Sequence, residues 1–141
     1  MAAEKLTLRI ATPGCVKFDE KADMVIMRCV TGDMGVLPNH EQCSAILDFG
    51  ILRILNDDEE RRMAVFGGIA QVRDNTVTIL ANDAQWPEDI DIALVEAEHE
   101  TVSRRLQENI DDLQIQKDQV LLRRTLVQME VSSYPILAGN R

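Results

Sequence analysis

The side chains that most often do chemistry in proteins are sparse in this chain and lack the neighbours that catalysis needs. The paired acids Asp57-Asp58 and Asp111-Asp112 lie in polar turn sequences, where nothing would raise a carboxylate pKa for acid–base work. No serine has a Gly-x-Ser-x-Gly context, and no Gly-x-x-x-x-Gly-Lys-Ser/Thr sequence is present to cradle a phosphate. The two histidines have no cysteine or carboxylate at ligand spacing. The sequence therefore predicts a non-catalytic protein with no metal site and no cofactor.

Composition also limits the kinds of protein that the chain could be. The chain has 141 residues, 45% of them hydrophobic and 28% charged, which is typical of a globular protein. A net charge of -9 and an aromatic content of 4% disfavour nucleic acid as a partner, because phosphate contacts need clustered cations. No apolar run approaches the roughly 20 residues that span a bilayer, and the strand pattern begins too early for a signal peptide. We therefore expect a cytosol-like compartment, with Cys15, Cys29 and Cys43 as buried, reduced thiols.

The first part of the chain follows a two-residue hydrophobic period, from Leu6 to about Ala81. Leu6, Leu8 and Ile10 alternate with polar or small residues, as in a strand with one buried face. We predict strands at 6–11, 15–18, 23–31, 44–47, 51–55, 61–66, 69–73 and 76–81. Short strands separated by turn sequences predict an all-β antiparallel sandwich or barrel. We place this domain at residues 1–84.

A rigid loop is predicted at Thr31–His40, with the sequence Thr-Gly-Asp-Met-Gly-Val-Leu-Pro-Asn-His. Gly32 and Gly35 leave backbone positions free for positive φ or for close approach of another chain, and we expect Gly35 to need a backbone that a Cβ disfavours. Pro38 fixes its own φ and pushes Leu37 toward an extended conformation. His40 closes the polar turn. Because the loop contains no nucleophile–base pair, we interpret it as serving assembly.

The remainder, residues 85–141, is predicted to be an antiparallel helical hairpin. Pro87, followed by two acidic residues, marks the start of the first helix. Spacings of three and four place one apolar stripe on each helix: Ile92, Val95, His99, Val102 and Leu106 on the first, and Ile115, Leu122, Leu126 and Met129 on the second. We expect His99 to lie in the seam rather than to bind a ligand. Residues 109–112 offer a cap for the second helix, and Pro135 would stop it.

The two predicted helices differ in charge. Residues 87–112 hold nine carboxylates against Arg104 and Arg105, whereas residues 113–131 hold Lys117, Arg123 and Arg124 against Asp118 and Glu130. Such charges usually belong to solvated faces. Antiparallel packing could also pair the second helix's cations with the first helix's acids, and a released second helix could pair with an acidic partner.

Three segments together carry a resemblance to a known family. They are the loop Gly-Asp-Met-Gly-Val-Leu-Pro-Asn-His, the run Phe66–Ala81 with its Gly67-Gly68 pair, and the opening Leu6–Pro13. With these segments, and with a sandwich followed by a two-helix hairpin, nearly the whole chain resembles the epsilon subunit of F-type (rotary) ATP synthases.

The resemblance implies a non-catalytic subunit of the central rotor stalk. The sandwich would grip the gamma subunit and sit on the membrane c-ring, docking through Gly32, Gly35, Leu37, Pro38 and His40. The hairpin would fold back on the sandwich or extend among the alpha and beta subunits and block ATP hydrolysis. In the extended state Arg123, Arg124 and Lys117 would meet an acidic loop of a beta subunit. The implied location is peripheral, through the complex, at the cytoplasmic face of a bacterial plasma membrane rather than in an organelle.

One departure from the family concerns nucleotide binding. Some family members bind ATP through an Ile-Asp-x-x-Arg-Ala pattern at the start of the first helix, and here the aligned residues run from Ile90 and Asp91 to Leu94, which replaces the arginine. A nucleotide would lose a charged partner there, so we expect no ATP binding and treat Ile90 and Asp91 as vestigial.

Two alternatives remain open at this stage. A stand-alone adaptor or inhibitor of another complex could share the sandwich and hairpin, and co-purification with gamma would separate it from a rotor subunit. A small hydrolase would need a pocket with perturbed carboxylates, for which the sequence offers no candidate.

Overall fold

The computed structural model describes residues 4–108 and 110–133, and these form a β-sandwich followed by two helices packed as a hairpin. The strands are β1 (Leu6–Ala11), β2 (Val16–Ala22), β3 (Met24–Cys29), β4 (Gly32–Val36), β5 (Cys43–Asn56), β6 (Glu59–Arg73), β7 (Thr76–Ala81) and β8 (Ala84–Gln85). A 3-10 turn at Pro87–Asp89 leads to helices α1 (Ile92–Glu108) and α2 (Asp112–Ser133). The predicted fold class is confirmed.

One mixed sheet supplies both layers of the sandwich. Its strand order is β2-β1-β7-β6-β5-β3-β4, with β8 added to β6. Every pair is antiparallel except β1 and β7, which run parallel. The prediction of a purely antiparallel sheet was therefore wrong for this pair, since alternation along a strand carries no information about its partner's direction.

Two long strands cross between the layers, where four separate strands were predicted. β5 runs through Gly50, and β6 runs through Gly67 and Gly68, whose φ angles are +80° and +137°. Along β6, Met63 and Val65 face the core before the glycine pair, and Ala70 and Val72 face it afterwards. The alternation therefore shifts by one residue, as at a β-bulge, and the glycines re-aim the strand rather than ending it.

Gly68 is a position that only glycine fits. A Cβ there would lie 2.3 Å from the Leu80 carbonyl oxygen and 2.7 Å from the Ala81 Cα. The positive φ adds strain for any L side chain. The bend thus depends on the absence of a side chain at one residue.

The main core lies between the layers and consists of inward-facing aliphatic residues, among them Leu8, Ile10, Leu52 and Ile79. Trp86, just after β8, packs against the edge of this core, and the Arg61 guanidinium lies 4.0 Å from the centroid of the indole ring. A second, smaller cluster lies on the outer face of the sandwich and combines Ala64 and Phe66 of β6 with Val131 of α2. This second cluster is where the hairpin meets the sandwich.

The segment predicted as a single loop at Thr31–His40 is mostly strand. Gly32–Val36 is β4, which pairs with β3 through a tight turn at Val30-Thr31, and only residues 37–42 connect it to β5. Gly35 also differs from expectation, because positive φ occurs at Gly32 (+123°) and not at Gly35. What Gly35 provides is space, since a Cβ there would approach the Met24 Cε to 2.7 Å.

The helices follow the predicted order with different boundaries. The predicted buried face is confirmed at Val95 and Val102 of α1, but that of α2 differs. Pro87 opens the 3-10 turn, whereas α1 begins after Asp91, whose carboxylate accepts the Leu94 N–H. On α2 the buried residues are Asp118, Thr125, Gln128 and Val131, while Leu126 of the predicted stripe is exposed. The predicted cap is confirmed at Asp111, which accepts the Leu113 N–H; Asn109 and Pro135 lie outside the described residues.

Neither described helix is long and apolar enough to cross a membrane. Of the three cysteines, all are free, but only Cys29 is fully buried, and its burial raises the pKa of the thiol. The prediction that all three would be buried was wrong for Cys15, which is exposed at the end of the β1–β2 turn.

Candidate docking surfaces

An uninterrupted row of apolar residues crosses the exposed face of five strands and reaches the β3–β4 turn. Each residue lies opposite the next in the strand register, so all point to the same side of the sheet. The register extends to the β3–β4 turn, where the Val30 N–H donates to the Ile46 carbonyl at 3.0 Å. The row comprises Val30, Ile46, Ile69, Leu80, Ala11 and Val16. We call it the apolar row.

The apolar row is unusual because it faces solvent. Val30, Ile46, Ile69 and Leu80 are 58%, 62%, 53% and 52% exposed. Single exposed aliphatic side chains are ordinary, but a contiguous patch marks an interaction site. Two residues further along the same strands, the facing positions are polar: Ser44, Gln71 and Thr78. The row is therefore a bounded apolar stripe.

The predicted docking residues are divided between the two ends of the sandwich. Gly32 pairs with Cys29 beside the turn that carries Val30, so it lies at one end of the apolar row. The opposite end of the sandwich, where β1 and β7 begin, carries Leu37, Pro38 and His40. Asn39 ties this loop down, since its N–H donates to the Asn75 Oδ1 at 2.8 Å.

Within that loop the predicted residues differ in exposure. Leu37 is 56% exposed, whereas Pro38 and His40 are half-buried. The His40 N–H donates to the Leu37 carbonyl at 3.2 Å, and its Nδ1 lies 2.8 Å from the Glu41 carbonyl oxygen. Leu37 is the apolar side chain that this loop presents to solvent.

The second surface is the one that α2 makes with the sandwich. Arg123 forms an ion pair with Asp48 on β5, and its guanidinium lies 4.9 Å from the Phe49 ring centroid. Arg124 forms an ion pair of 2.7 Å with Asp83, and its guanidinium lies 4.1 Å from the Phe66 ring centroid. Both arginines are therefore engaged by the sandwich, and neither pairs with α1.

The two carboxylates are held by their own backbone. Asp48 accepts the Phe49 N–H at 2.8 Å, and Asp83 accepts the Ala84 N–H at 2.9 Å. Burial raises the pKa of Asp48, but the Phe49 N–H and the Arg123 guanidinium together lower it by more. The pKa of Asp48 therefore lies below its ordinary value. Asp48 is therefore ionised at neutral pH and available as a fixed partner for a cation.

The remaining predicted site residues have structural positions. Lys117 is exposed on α2 and forms no ion pair with any other described residue. Ile90 packs beside Phe66 and Val131 in the outer cluster, and Asp91 caps α1. The two residues that align with a nucleotide-binding pattern thus help to seat and start the hairpin.

Polar contacts join α1 and α2. Asp118 is completely buried and its Oδ1 accepts from the Arg105 Nη2 at 2.9 Å and from the Gln114 Nε2 at 3.0 Å. His99 Nδ1 lies 3.1 Å from the Thr125 Oγ1, which confirms it as a seam residue. The charge pairing runs opposite to the prediction, because the cation comes from α1 and the acid from α2.

Sequence reasoning missed the apolar row and the acidic partners on the sandwich. A signal for the row existed in the runs around Ile46 and Ile69, which place a branched aliphatic residue beside core residues, at positions where alternation would put a polar one. That signal becomes readable only with the strand register. Asp48 and Asp83 had no local signal, because they lie 75 and 41 residues from their arginines.

The fold defines a class of protein: a β-sandwich followed by a two-helix hairpin whose second helix packs on the sandwich. Residues 5–87 match the family model of the ATP synthase Delta/Epsilon chain, beta-sandwich domain. The chain belongs to that family, among the epsilon chains of the F-type ATP synthase central stalk.

Curated relatives agree with this assignment. The ATP synthase epsilon chain of Prochlorococcus marinus (strain NATL1A) is 41% identical over 75% of this chain and 78% of its own length. That of Brevibacillus brevis is 39% identical over 77% and 83%. The chloroplastic epsilon chain of Nymphaea alba is 34% identical over 89% and 93%.

A solved chain with the same fold lies in the Euglena gracilis mitochondrial ATP synthase, described as OSCP/F1/c-ring in rotational state 1. Its TM-score is 0.82 at 22% identity, over 94% of this chain and 83% of that one. The Tetrahymena thermophila central stalk/c-ring structure gives a TM-score of 0.63 at 14% identity, over 94% of this chain and all of that one.

Proposed function

We propose that this subunit couples ion-driven rotation to ATP synthesis by joining the gamma subunit to the c-ring through its sandwich. The observation that carries the proposal is the apolar row. Four strand-to-strand steps and one step from β5 to the β3–β4 turn, each of about 4.8 Å, make the row about 24 Å long, which matches an elongated apolar element of a partner such as one face of a helix. We assign the gamma subunit to this row.

The predicted set Gly32, Gly35, Leu37, Pro38 and His40 runs along β4 from the end of the apolar row to the loop at the other end of the sandwich, and we assign that loop, with Leu37, Pro38 and His40, to the c-ring. This assignment is supported by the rigidity of β4 and the 37–42 loop, together with the exposed Leu37 side chain. Through these contacts the subunit would be peripheral to the membrane that holds the ring.

A charge placed in the apolar row tests the gamma assignment. Ile69→Asp should weaken binding of the isolated chain to gamma by about thirtyfold, because a buried carboxylate replaces a central apolar contact. Gln71→Asp is the matched control, since it introduces the same group on the same face of β6 two residues away, and it should change affinity less than about threefold. Equal, small effects of both substitutions would remove gamma from the row.

We propose in addition that the hairpin inhibits ATP hydrolysis when it extends among the alpha and beta subunits. Arg123 and Arg124, with a smaller part for Lys117, would then pair with the acidic loop of a beta subunit. The support is the small apolar contact of α2 with the sandwich, where Val131 is the only fully buried hydrophobic residue of α2 among those described.

Hydrolysis by the reassembled complex tests this role. Arg123→Ala/Arg124→Ala should raise the hydrolysis rate and leave synthesis and assembly nearly unchanged, and deletion of residues 88–141 should raise it at least as much. If only the deletion raises the rate, inhibition is steric. If neither does, the hairpin is not inhibitory.

A further inference from the structure

Consecutive arginines of α2 make the same combination of contacts twice. Each guanidinium meets one carboxylate of the sandwich and lies against one aromatic ring: Asp48 and Phe49 for Arg123, and Asp83 and Phe66 for Arg124. The rings themselves pair edge to face, with centroids 5.6 Å apart and an interplanar angle of 76°. The repetition makes this a built surface rather than an incidental surface ion pair.

The sandwich side of this surface is fixed independently of the hairpin. Phe49 and Phe66 are direct partners in the β5–β6 ladder, and both carboxylates accept the N–H of the following residue. The Asn82 N–H donates to the Gly67 carbonyl, and the Phe66 N–H donates to the Asp83 carbonyl, each at 3.0 Å, which holds Asp83 beside the bend of β6. A cation arriving from α2 therefore finds both acceptors already placed.

The contacts are suited to reversible docking. Asp48 and Asp83 are 36% and 45% exposed, so water and salt screen both pairs. One such pair changes an equilibrium constant by at most about fivefold, and a cation over an exposed ring adds a similar factor. The apolar support from α2 is small, with Val131 as its only fully buried hydrophobic residue among those described. The ion pairs and the cation–ring contacts thus contribute a considerable part of the free energy that keeps the hairpin docked.

We propose that Asp48 and Asp83 form a latch that keeps the hairpin docked by occupying Arg123 and Arg124, in direct competition with the acidic partner of the extended state. One guanidinium cannot serve both partners, so the latch sets how often the hairpin is released. The competition rests on the proposed inhibitory role, whereas the latch itself does not.

The competition gives the two halves of the latch opposite effects. Removing the arginines abolishes docking contacts and inhibitory contacts together. Removing the carboxylates abolishes docking contacts alone, and leaves the arginines available to a beta subunit. Hydrolysis should therefore rise with the first change and fall with the second.

Hydrogen exchange of the isolated full chain tests the latch without the complex. Asp48→Asn/Asp83→Asn should raise exchange of α1 and α2 amides about five- to thirtyfold, with β5 and β6 amides unchanged. The matched control is Asp58→Asn/Asp74→Asn, which removes the same charge from two exposed turns that do not touch α2. Its effect should stay within twofold. Equal exchange of the helices in both variants would overturn the latch.

Hydrolysis by the reassembled complex tests the competition. Asp48→Asn/Asp83→Asn should lower the rate by about two- to tenfold relative to wild type and to the control variant. A rate that rises or stays level, while exchange shows a released hairpin, would overturn the competition and leave the latch standing. If deletion of residues 88–141 has no effect on hydrolysis, the proposed inhibitory role fails, and the exchange result still decides the latch.

Discussion

The sandwich and the hairpin differ in the side chains that they bury. The sandwich core is entirely apolar, and Leu6, Leu8, Ile10, Met63 and Ile79 are each no more than 1% exposed. The hairpin instead buries Asp118, Thr125 and Gln128, and only Val95, Val102 and Val131 among its described hydrophobic residues. Apolar burial stabilises by about 25 cal/mol per Å², while a buried charge pair contributes little net stability. Apolar burial therefore stabilises the sandwich more than it stabilises the hairpin.

The largest expected effect comes from the bend of β6, on which both regions depend. Gly68→Ala should destabilise the chain by about 3–5 kcal/mol, because it combines a left-handed φ with a Cβ against the backbone of β7. Gly14→Ala is the control, since nothing lies within 4 Å of a Cβ there and its φ is ordinary. It should change stability by less than about 0.5 kcal/mol. Urea unfolding of the isolated chain measures both, and similar values would remove the bend from its structural role.

The glycines at the strand bends also show which parts of the fold the sequence could predict. Alternation located β1, β3 and β7 closely, because each buries one face. It divided β5 and β6 at their glycines, because a glycine in an apolar run looks the same whether the strand ends or bends. The parallel pairing of β1 with β7 depends on residues about 70 positions apart, such as Thr7 with Thr76.

The docking surfaces were harder to predict for a related reason. Arg123 and Arg124 stood out by type, but their partners come from β5 and from the segment after β7, so neither charge pattern nor helical spacing could identify them. The stripe predicted for α2 failed because an apolar spacing does not reveal which face meets a neighbour. Leu126 is exposed to solvent, while the polar Thr125, one position away, is buried.

A smaller effect separates two possible ends of the sandwich domain. We propose the boundary at residue 84, and a fragment of residues 1–84 should unfold cooperatively and bind gamma. A fragment of residues 1–90 adds Trp86, which packs on the core edge and lies under Arg61, and it should be more stable by about 2–3 kcal/mol. Urea denaturation of the two fragments makes the comparison. A molten 1–84 beside a cooperative 1–90 would move the boundary past Trp86.

The smallest effect concerns the hairpin seam and sharpens the contrast between the two regions. Asp118 is buried, and its Oδ1 accepts hydrogen bonds from Arg105 and Gln114. Its Oδ2 has no hydrogen-bond partner among the described residues. Replacing a buried ion pair by a packed aliphatic side chain is often neutral or stabilising by about 1–4 kcal/mol, because both charges escape desolvation. Arg105 is half exposed and can return to water.

Asp118→Leu should therefore leave α1–α2 amide exchange unchanged or slow it by up to about tenfold, whereas Asp118→Ala should speed it, since it removes the acceptor and leaves a void. Slower exchange in the leucine variant would mean that the polar seam holds the hairpin less firmly than an apolar seam would. In the complex, the leucine variant should keep the hairpin closed on itself whether it is docked or extended, so hydrolysis should change less than in the Asp48→Asn/Asp83→Asn variant. Faster exchange in Asp118→Leu than in Asp118→Ala would show the reverse. The buried carboxylate would then be a stabilising contact, and the contrast between a persistent sandwich and a weakly held hairpin would not extend to the seam.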